Sequence, residues 1–372
     1  LAGLITGVAN VTSSVAQPLV GILTDRGRDP RWIAIACLVA AAGITTTGLA
    51  PTFPVFLALV VLGGLGVSAF HPQGYKLTGL HAGRQQAAAT SWFLVGGNVG
   101  VALGPLLGTA AVLHFGLPGT TALLIPGLVL TTTLWWLVPR WTGYPPTSQR
   151  RLSGRAARMG ESLATGVVNV SVSVPPAVLG LTARRRLVAV VVLVVLVAVR
   201  ATLSTSLTSF IPLYYVNVAG LGEDTASHVL AGMLLAGALA TVAGGYIADR
   251  LGRLRVLAAS LAAVPPCLFA FVAAQPGSLP STAALWVAGA LITSSFSITV
   301  VLAQELWYER RALASGVIVG FAFGMGGLLV PLVGAIADRW GLRAAFSLLV
   351  GLPIVPLALS IFLAVLMRRR PA

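Results

Sequence analysis

From Ala87 to Leu113 the chain runs 27 residues without a charge, and glycine returns at every fourth place: Gly96, Gly100, Gly104 and Gly108, with Pro105 among them. A step of four turns an α-helix by slightly more than one revolution, so these glycines form one slowly drifting stripe without side chains. In water such a helix is poor, because each Gly costs ~1 kcal/mol relative to Ala. In a bilayer every backbone group must bond inside its own segment, and small residues let neighbouring helices approach closely. The stretch therefore reads as a transmembrane helix built for tight contact.

The design recurs. Ala312 to Ala337 is again free of charge and carries Gly316, Gly320, Gly324, Gly326, Gly327 and Gly334. Pro105-Leu-Leu-Gly108 is echoed by Pro331-Leu-Val-Gly334. A charged turn, Gly21-Ile-Leu-Thr-Asp25-Arg26-Gly27-Arg28, returns 224 residues later as Gly245-Tyr-Ile-Ala-Asp249-Arg250-Leu-Gly252-Arg253. Like elements at one long offset point to two copies of a helical unit, and two packed halves around a central cavity is a recurrent plan of secondary transporters.

Composition agrees with a polytopic all-α membrane protein: 9% of residues are charged, against roughly 25% in a soluble domain. The net charge of +15 does not imply nucleic acid, because the basic residues sit in short runs between apolar segments rather than on one solvated face. Cys37 and Cys267 each fall inside an apolar segment and read as packing residues. Apolar spans are expected near 1–23, 32–50, 53–70, 87–113, 120–138, 187–215, 226–248, 254–274, 282–302, 312–337 and 344–367. The division is 1–138 for an N-terminal half, 139–186 for a linker rich in Arg and Pro, and 187–372 for a six-span C-terminal half. Eleven spans, with the deficit at an N-terminus that lacks Met, suggest twelve in the full protein.

Placing the Asp25-Arg26 turn in the cytoplasm and alternating the spans puts 21 of the 24 Lys and Arg residues on the cytoplasmic side. The opposite assignment would invert the positive-inside bias. The linker and the C-terminus are then cytoplasmic, in a cell membrane.

The repeated Gly-x-x-x-Asp-Arg turn resembles the signature loop of the major facilitator superfamily. The stripe from Gly96 to Gly108 resembles the fifth-helix motif of that superfamily's drug–proton antiporters. Phe70-His71-Pro72 with Gly74, Val95-Gly96-Gly97-Asn98 and Gln304-Glu305 resemble its fosmidomycin-resistance branch. The resemblance implies the major facilitator fold, drug resistance by efflux, and antiport with protons through rocking of two six-helix bundles. It implies a small-molecule substrate, the proton gradient as energy source, no cofactor and no metal. Uptake by proton symport is the alternative reading. The chain departs from that branch at Gln73, where Glu usually follows His-Pro, and the branch's first helix is missing here, so the coupling site could lie outside this sequence.

Physically, Asp25 with Arg26 and Arg28, and Asp249 with Arg250 and Arg253, suit either a cytoplasmic gate that latches neighbouring helices or charges that only set topology. For proton coupling or substrate contact the candidates are few. Asn10 and Gln17 share a polar face of the first span. His71, at the expected end of its helix, could titrate near neutral pH or simply stop the helix. Asn98 lies beside the glycine stripe. Glu305 faces Arg310 and Arg311 as an expected surface ion pair. Arg200 is the one charge inside a span, and a mid-bilayer cation costs roughly 2.5–3.5 kcal/mol on the insertion scale. Its partner is left as helix carbonyls, an acid in the missing helix, or a substrate whose anion suits a guanidinium fork. A membrane-embedded enzyme would need a metal-ligand or nucleophile–base constellation, which four scattered His and no paired intramembrane carboxylates do not supply. The expected partners are a small molecule and the lipid bilayer, with no nucleic acid, and the chain is expected to act as a monomer.

Overall fold

The computed structural model describes residues 12, 14, 16–25, 29–142 and 181–367, and these are helical almost throughout. The elements, in chain order, are α1 (residues 16–25), α2 (Trp32–Thr45), α3 (Phe53–His81), α4 (Gln86–Phe115) and α5 (Leu124–Trp141). After the linker, most of which lies outside the described residues, come α6 (Ala183–Asn217), α7 (Glu223–Leu251), α8 (Arg253–Ala273) and α9 (Leu279–Leu306). They are followed by α10 (Arg311–Trp340), α11 (Leu342–Gly351) and α12 (Ile354–Met367). Single 3₁₀ turns, Thr46–Leu49 and Leu117–Leu123, extend α2 and precede α5. Among the described residues eight helical stretches are long and apolar enough to cross a membrane. The two glycine-striped helices, α4 and α10, each run 30 residues, about 45 Å at 1.5 Å per residue.

Two boundaries differ from expectation for a physical reason. The third span does not stop at Phe70: α3 continues through Pro72 to His81. Proline removes one backbone N–H and normally breaks a helix in water, but packing between helices carries this one on, with Pro72, Gln73, Gly74 and Tyr75 all buried. The last expected span is two helices, α11 and α12, parted at Leu352-Pro353.

The second half has the denser interior. Leu193, Leu196, Val197, Leu203, Leu207 and Ile211 of α6 are almost fully buried against α8, α9, α10 and α12. One apolar cluster runs from Leu193, Leu196 and Val197 to Tyr75 of α3 and Ala87 of α4, so the two halves are joined at the end of the bundle that carries the Asp25 and Asp249 turns. That end is called the basic end below.

The two glycine stripes, alike in sequence, do different things. A Cβ at Gly316 or Gly320 would run into the backbone carbonyls of Gln17 and Ser14, so α1 and α10 lie backbone to backbone along this seam. At Gly96, Gly100, Gly104 and Gly108 a Cβ would meet no described residue within 4 Å. Among the described residues, the close contact expected for the first stripe has no partner. α4 bonds to α7 and α9 through its first two turns, at Ala87, Ala88, Ser91 and Trp92, and beyond them the stripe meets no described residue.

Gly320→Leu and Gly316→Leu should each lower stability by about 1–3 kcal/mol through overpacking of the α1–α10 seam. Gly100→Leu should not. Melting temperatures of the purified variants in detergent check this, and an equal loss for Gly100→Leu would show that its stripe is packed.

Candidate functional site

The first turn of any helix leaves four backbone N–H groups without intrahelical partners, and its end of the helix dipole is positive. At the basic end, two carboxylates fill that need on helices of the other half. Asp25, the last described residue of α1, accepts from the N–H groups of Ala312 (3.1 Å) and Leu313 (2.8 Å) at the start of α10. Asp249, near the end of α7, accepts from the N–H groups of Ala87 (3.2 Å) and Ala88 (3.0 Å) at the start of α4. The helices so capped are the two glycine-striped ones.

The spacing Gly-x-x-x-Asp now has a cause. Gly21 and Gly245 lie one turn before their aspartates, on the same face of the helix. A Cβ on Gly21 would come within 2.7 Å of the Leu313 Cα, and one on Gly245 within 2.7 Å of the Ala87 carbonyl oxygen. Each glycine lets its helix approach the partner's backbone closely enough for the carboxylate to reach the N–H pair.

Cations hold both carboxylates in place. Lys76 of α3 lies 3.4 Å from Asp25 and donates to the Thr24 carbonyl at 3.0 Å. Arg253 lies 3.3 Å from Asp249, pairs with Glu305 of α9 and reaches the Gln86 amide oxygen at 3.4 Å. Glu305 is thus a member of this network, and among the described residues its ion pair is with Arg253 rather than with Arg310 or Arg311. Arg250 is exposed and pairs with no carboxylate among the described residues. Arg26 and Arg28 lie outside the described residues.

Further bonds cross between the halves in the same layer. Gln304, almost fully buried, donates from Nε2 to the Tyr75 carbonyl at 2.9 Å and to Ser315 Oγ at 2.7 Å. Its amide oxygen packs where a side chain at Gly79 would be. Arg311 donates to the Gly79 carbonyl at 3.3 Å, and Ser91 Oγ donates to Ser297 Oγ at 2.9 Å. A layer of this kind seals one end of the molecule.

The remaining candidates are scattered. Arg200 is 3% exposed. Its Nη1 donates to the Ile292 carbonyl at 3.2 Å, and its guanidinium carbon sits 5.1 Å from the centre of the Phe296 ring, both on α9. Of the three partners left open by sequence, the helix carbonyl is the one seen here, and a ring face, which attracts a cation, adds to it. Nε has no partner among the described residues. His71 lies within α3, ten residues before its end, so it neither stops the helix nor sits at its tip. Its Nδ1 is 3.0 Å from the Val67 carbonyl, and its ring packs among Phe70, Tyr75 and Phe93. Gln17 is buried, with Oε1 unpartnered among the described residues. Asn98 is exposed beside the open stripe. Asn10 lies outside the described residues.

A sequence profile of the Major Facilitator Superfamily matches residues 1–318 and, in a second overlapping match, 193–372. The chain belongs to the major facilitator superfamily. It is therefore a multi-pass membrane transporter and not an enzyme. The fosmidomycin resistance protein of Escherichia coli (strain K12) is 32% identical over 363 residues, covering 97% of this chain and 83% of that one. An uncharacterised superfamily transporter of Bacillus subtilis (strain 168), YfnC, is 29% identical over 353 residues, 95% of this chain and 81% of its own length. Among solved structures, the E. coli fucose:proton symporter superposes with a TM-score of 0.71 at 14% identity, over 97% of this chain and 90% of that one. The human organic anion transporter MFSD10 gives 0.69 at 14% identity, over 96% and 83%. These two likenesses concern the fold.

In this superfamily member the latch uses residues that the sequence motif does not contain. Lys76, Gln86, Ser91, Gln304 and Arg311 come from other helices and carry little signal alone. The pair Gln304-Glu305, two polar residues at the end of an apolar run, was the one visible hint.

Asp249→Asn and Asp25→Asn should each weaken the closed layer. Hydrogen bonds to a charged group are worth about 1.5–3 kcal/mol, so each change should raise the population open at the basic end roughly ten- to a hundredfold. Labelling of a single cysteine placed at Ser297 by a membrane-impermeant thiol reagent, added from the basic side, would report it. Labelling no faster than in the parent background would show that the aspartates do not hold this end shut.

Proposed function

We propose that this transporter exports a small anionic molecule of the phosphonate class in exchange for protons, by alternating access, across the plasma membrane. The basic end is its cytoplasmic face, and the conformation described here is closed to the cytoplasm and open toward the other side. The observation that carries this reading is the paired latch. Each half caps a helix of the other, so opening the basic end breaks two like sets of charge-assisted bonds, a two-state element that a bound ligand can bias. The cation asymmetry supports the orientation, and the fosmidomycin resistance of the E. coli relative supports efflux of a phosphonate.

Arg200 is the anion contact in this reading. Its Nη1 is held by a carbonyl while Nε is unsatisfied among the described residues, which leaves a fixed donor for an incoming oxyanion. His71, held at Nδ1 by its own helix, is the proposed proton carrier, since Asp25, Asp249 and Glu305 are engaged in the latch.

Purified protein in liposomes, given radiolabelled fosmidomycin and an imposed pH gradient, tests the proposal. Antiport predicts accumulation when the interior is acid, and symport predicts it when the exterior is acid. No gradient-driven movement in either direction would remove the proposed substrate class and coupling. Arg200→Lys should keep part of the transport, whereas Arg200→Leu should lose at least about tenfold, the scale of one charge-assisted bond. Undiminished binding of the drug to the Leu variant in detergent would remove Arg200 from the site.

A further inference from the structure

The short turn between α7 and α8 carries more cations than the latch uses. α7 ends at Leu251, Gly252 takes a left-handed φ of 99°, and α8 starts at Arg253. That reversal, which favours glycine, sets Arg250 and Arg255 on either side of one turn. Arg253 alone turns inward, to Asp249 and Glu305. Arg250 and Arg255 are exposed and make no ion pair with a described residue.

Both arginines line the mouth of a groove of about 750 Å³ formed by α7, α8 and α9. Small residues on all three helices, among them Ala243, Gly244, Ala259 and Ala290, leave the space, and Ile247 and Val287 give it an apolar wall. Ile247, Leu251 and Val287 are about half exposed, as expected for side chains that face lipid rather than the interior of the bundle. A second depression of about 590 Å³, lined by Arg250, Arg253, Arg255, Asp249 and Glu305 among others, shares Arg250 and Arg255 with the groove. The two carboxylates there are already engaged by Arg253. The combined shape is apolar along the helices and cationic at the basic end.

We propose that this groove is a binding site for an anionic phospholipid. The acyl chains lie along α7, α8 and α9, and Arg250 and Arg255 hold the headgroup phosphate. Two positive charges with no ion-pair partner among the described residues, at the end of an apolar slot, fit one phosphate above hydrocarbon, and arginine is suited to phosphate by its fork of donors. The headgroup then sits on the turn whose preceding residue, Asp249, caps α4, so the site adjoins the latch while Arg250 and Arg255 themselves make no ion pair in it among the described residues. This inference stands on the groove and the charges, independently of which solute the transporter carries.

Native mass spectrometry of the purified full chain, titrated with phosphatidylglycerol or phosphatidylcholine, tests it. The parent should retain phosphatidylglycerol in preference to phosphatidylcholine. On a scale of about one fivefold factor for each basic residue near an anionic lipid, Arg250→Gln with Arg255→Gln should weaken that binding roughly 25-fold. Ala243→Trp or Ala259→Trp, which fill the groove and leave the charges, should also weaken it, and these variants keep the test decisive if the double change harms folding. Arg184→Gln with Arg185→Gln, which removes basic residues elsewhere at the same end, should leave the preference intact. Equal retention of the two lipids, parent-like binding by both groove-filling variants, or equal loss from the Arg184 and Arg185 changes would overturn the site in favour of general attraction to anionic lipid.

Discussion

The structure depends on how two helix starts are satisfied. A helix that begins where membrane meets water presents unpaired N–H groups and a partial positive charge. In α4 and α10 those groups are taken by Asp249 and Asp25, each from the opposite half of the chain. The need is local but its satisfaction is long-range, so the helix start becomes a contact between halves. Lys76 and Arg253 then hold each carboxylate in place. Gln304, Arg311 and Ser91 add bonds around them that can form only when the halves meet.

Glycine does two separate jobs here. At Gly21 and Gly245 it permits a close approach that lets a carboxylate one turn later reach a foreign backbone. Along Gly316 and Gly320 it permits continuous backbone contact with α1, while the matching residues of α4 meet no described residue. A symmetric sequence thus gives an asymmetric contact pattern. Where the halves close, the glycines are needed for packing.

Arg200 illustrates how a costly charge is kept inside a span. A carbonyl and an aromatic face on α9 take it, and neither carries a formal charge. By contrast Arg253, at the rim, is already committed to two acids.

Much was legible before any coordinates. The charge-free runs determined that the chain spans a membrane, because backbone hydrogen bonds in hydrocarbon must be made within each segment and composition alone reports that. The repeated Gly-x-x-x-Asp turns and glycine stripes marked two halves, and the positions of the latch aspartates were visible in them. Tertiary structure decided the rest. That Asp25 and Asp249 reach across to the other half, that Glu305 joins Arg253, and that Arg200 finds a carbonyl are matters of which helix lies opposite, which no local pattern encodes. The run of α3 through Pro72 and the parting of the two stripes have the same origin. Propensity and spacing act along one helix, whereas neighbouring helices supply the packing that overrides a proline and the conformational state chooses which glycine face is covered.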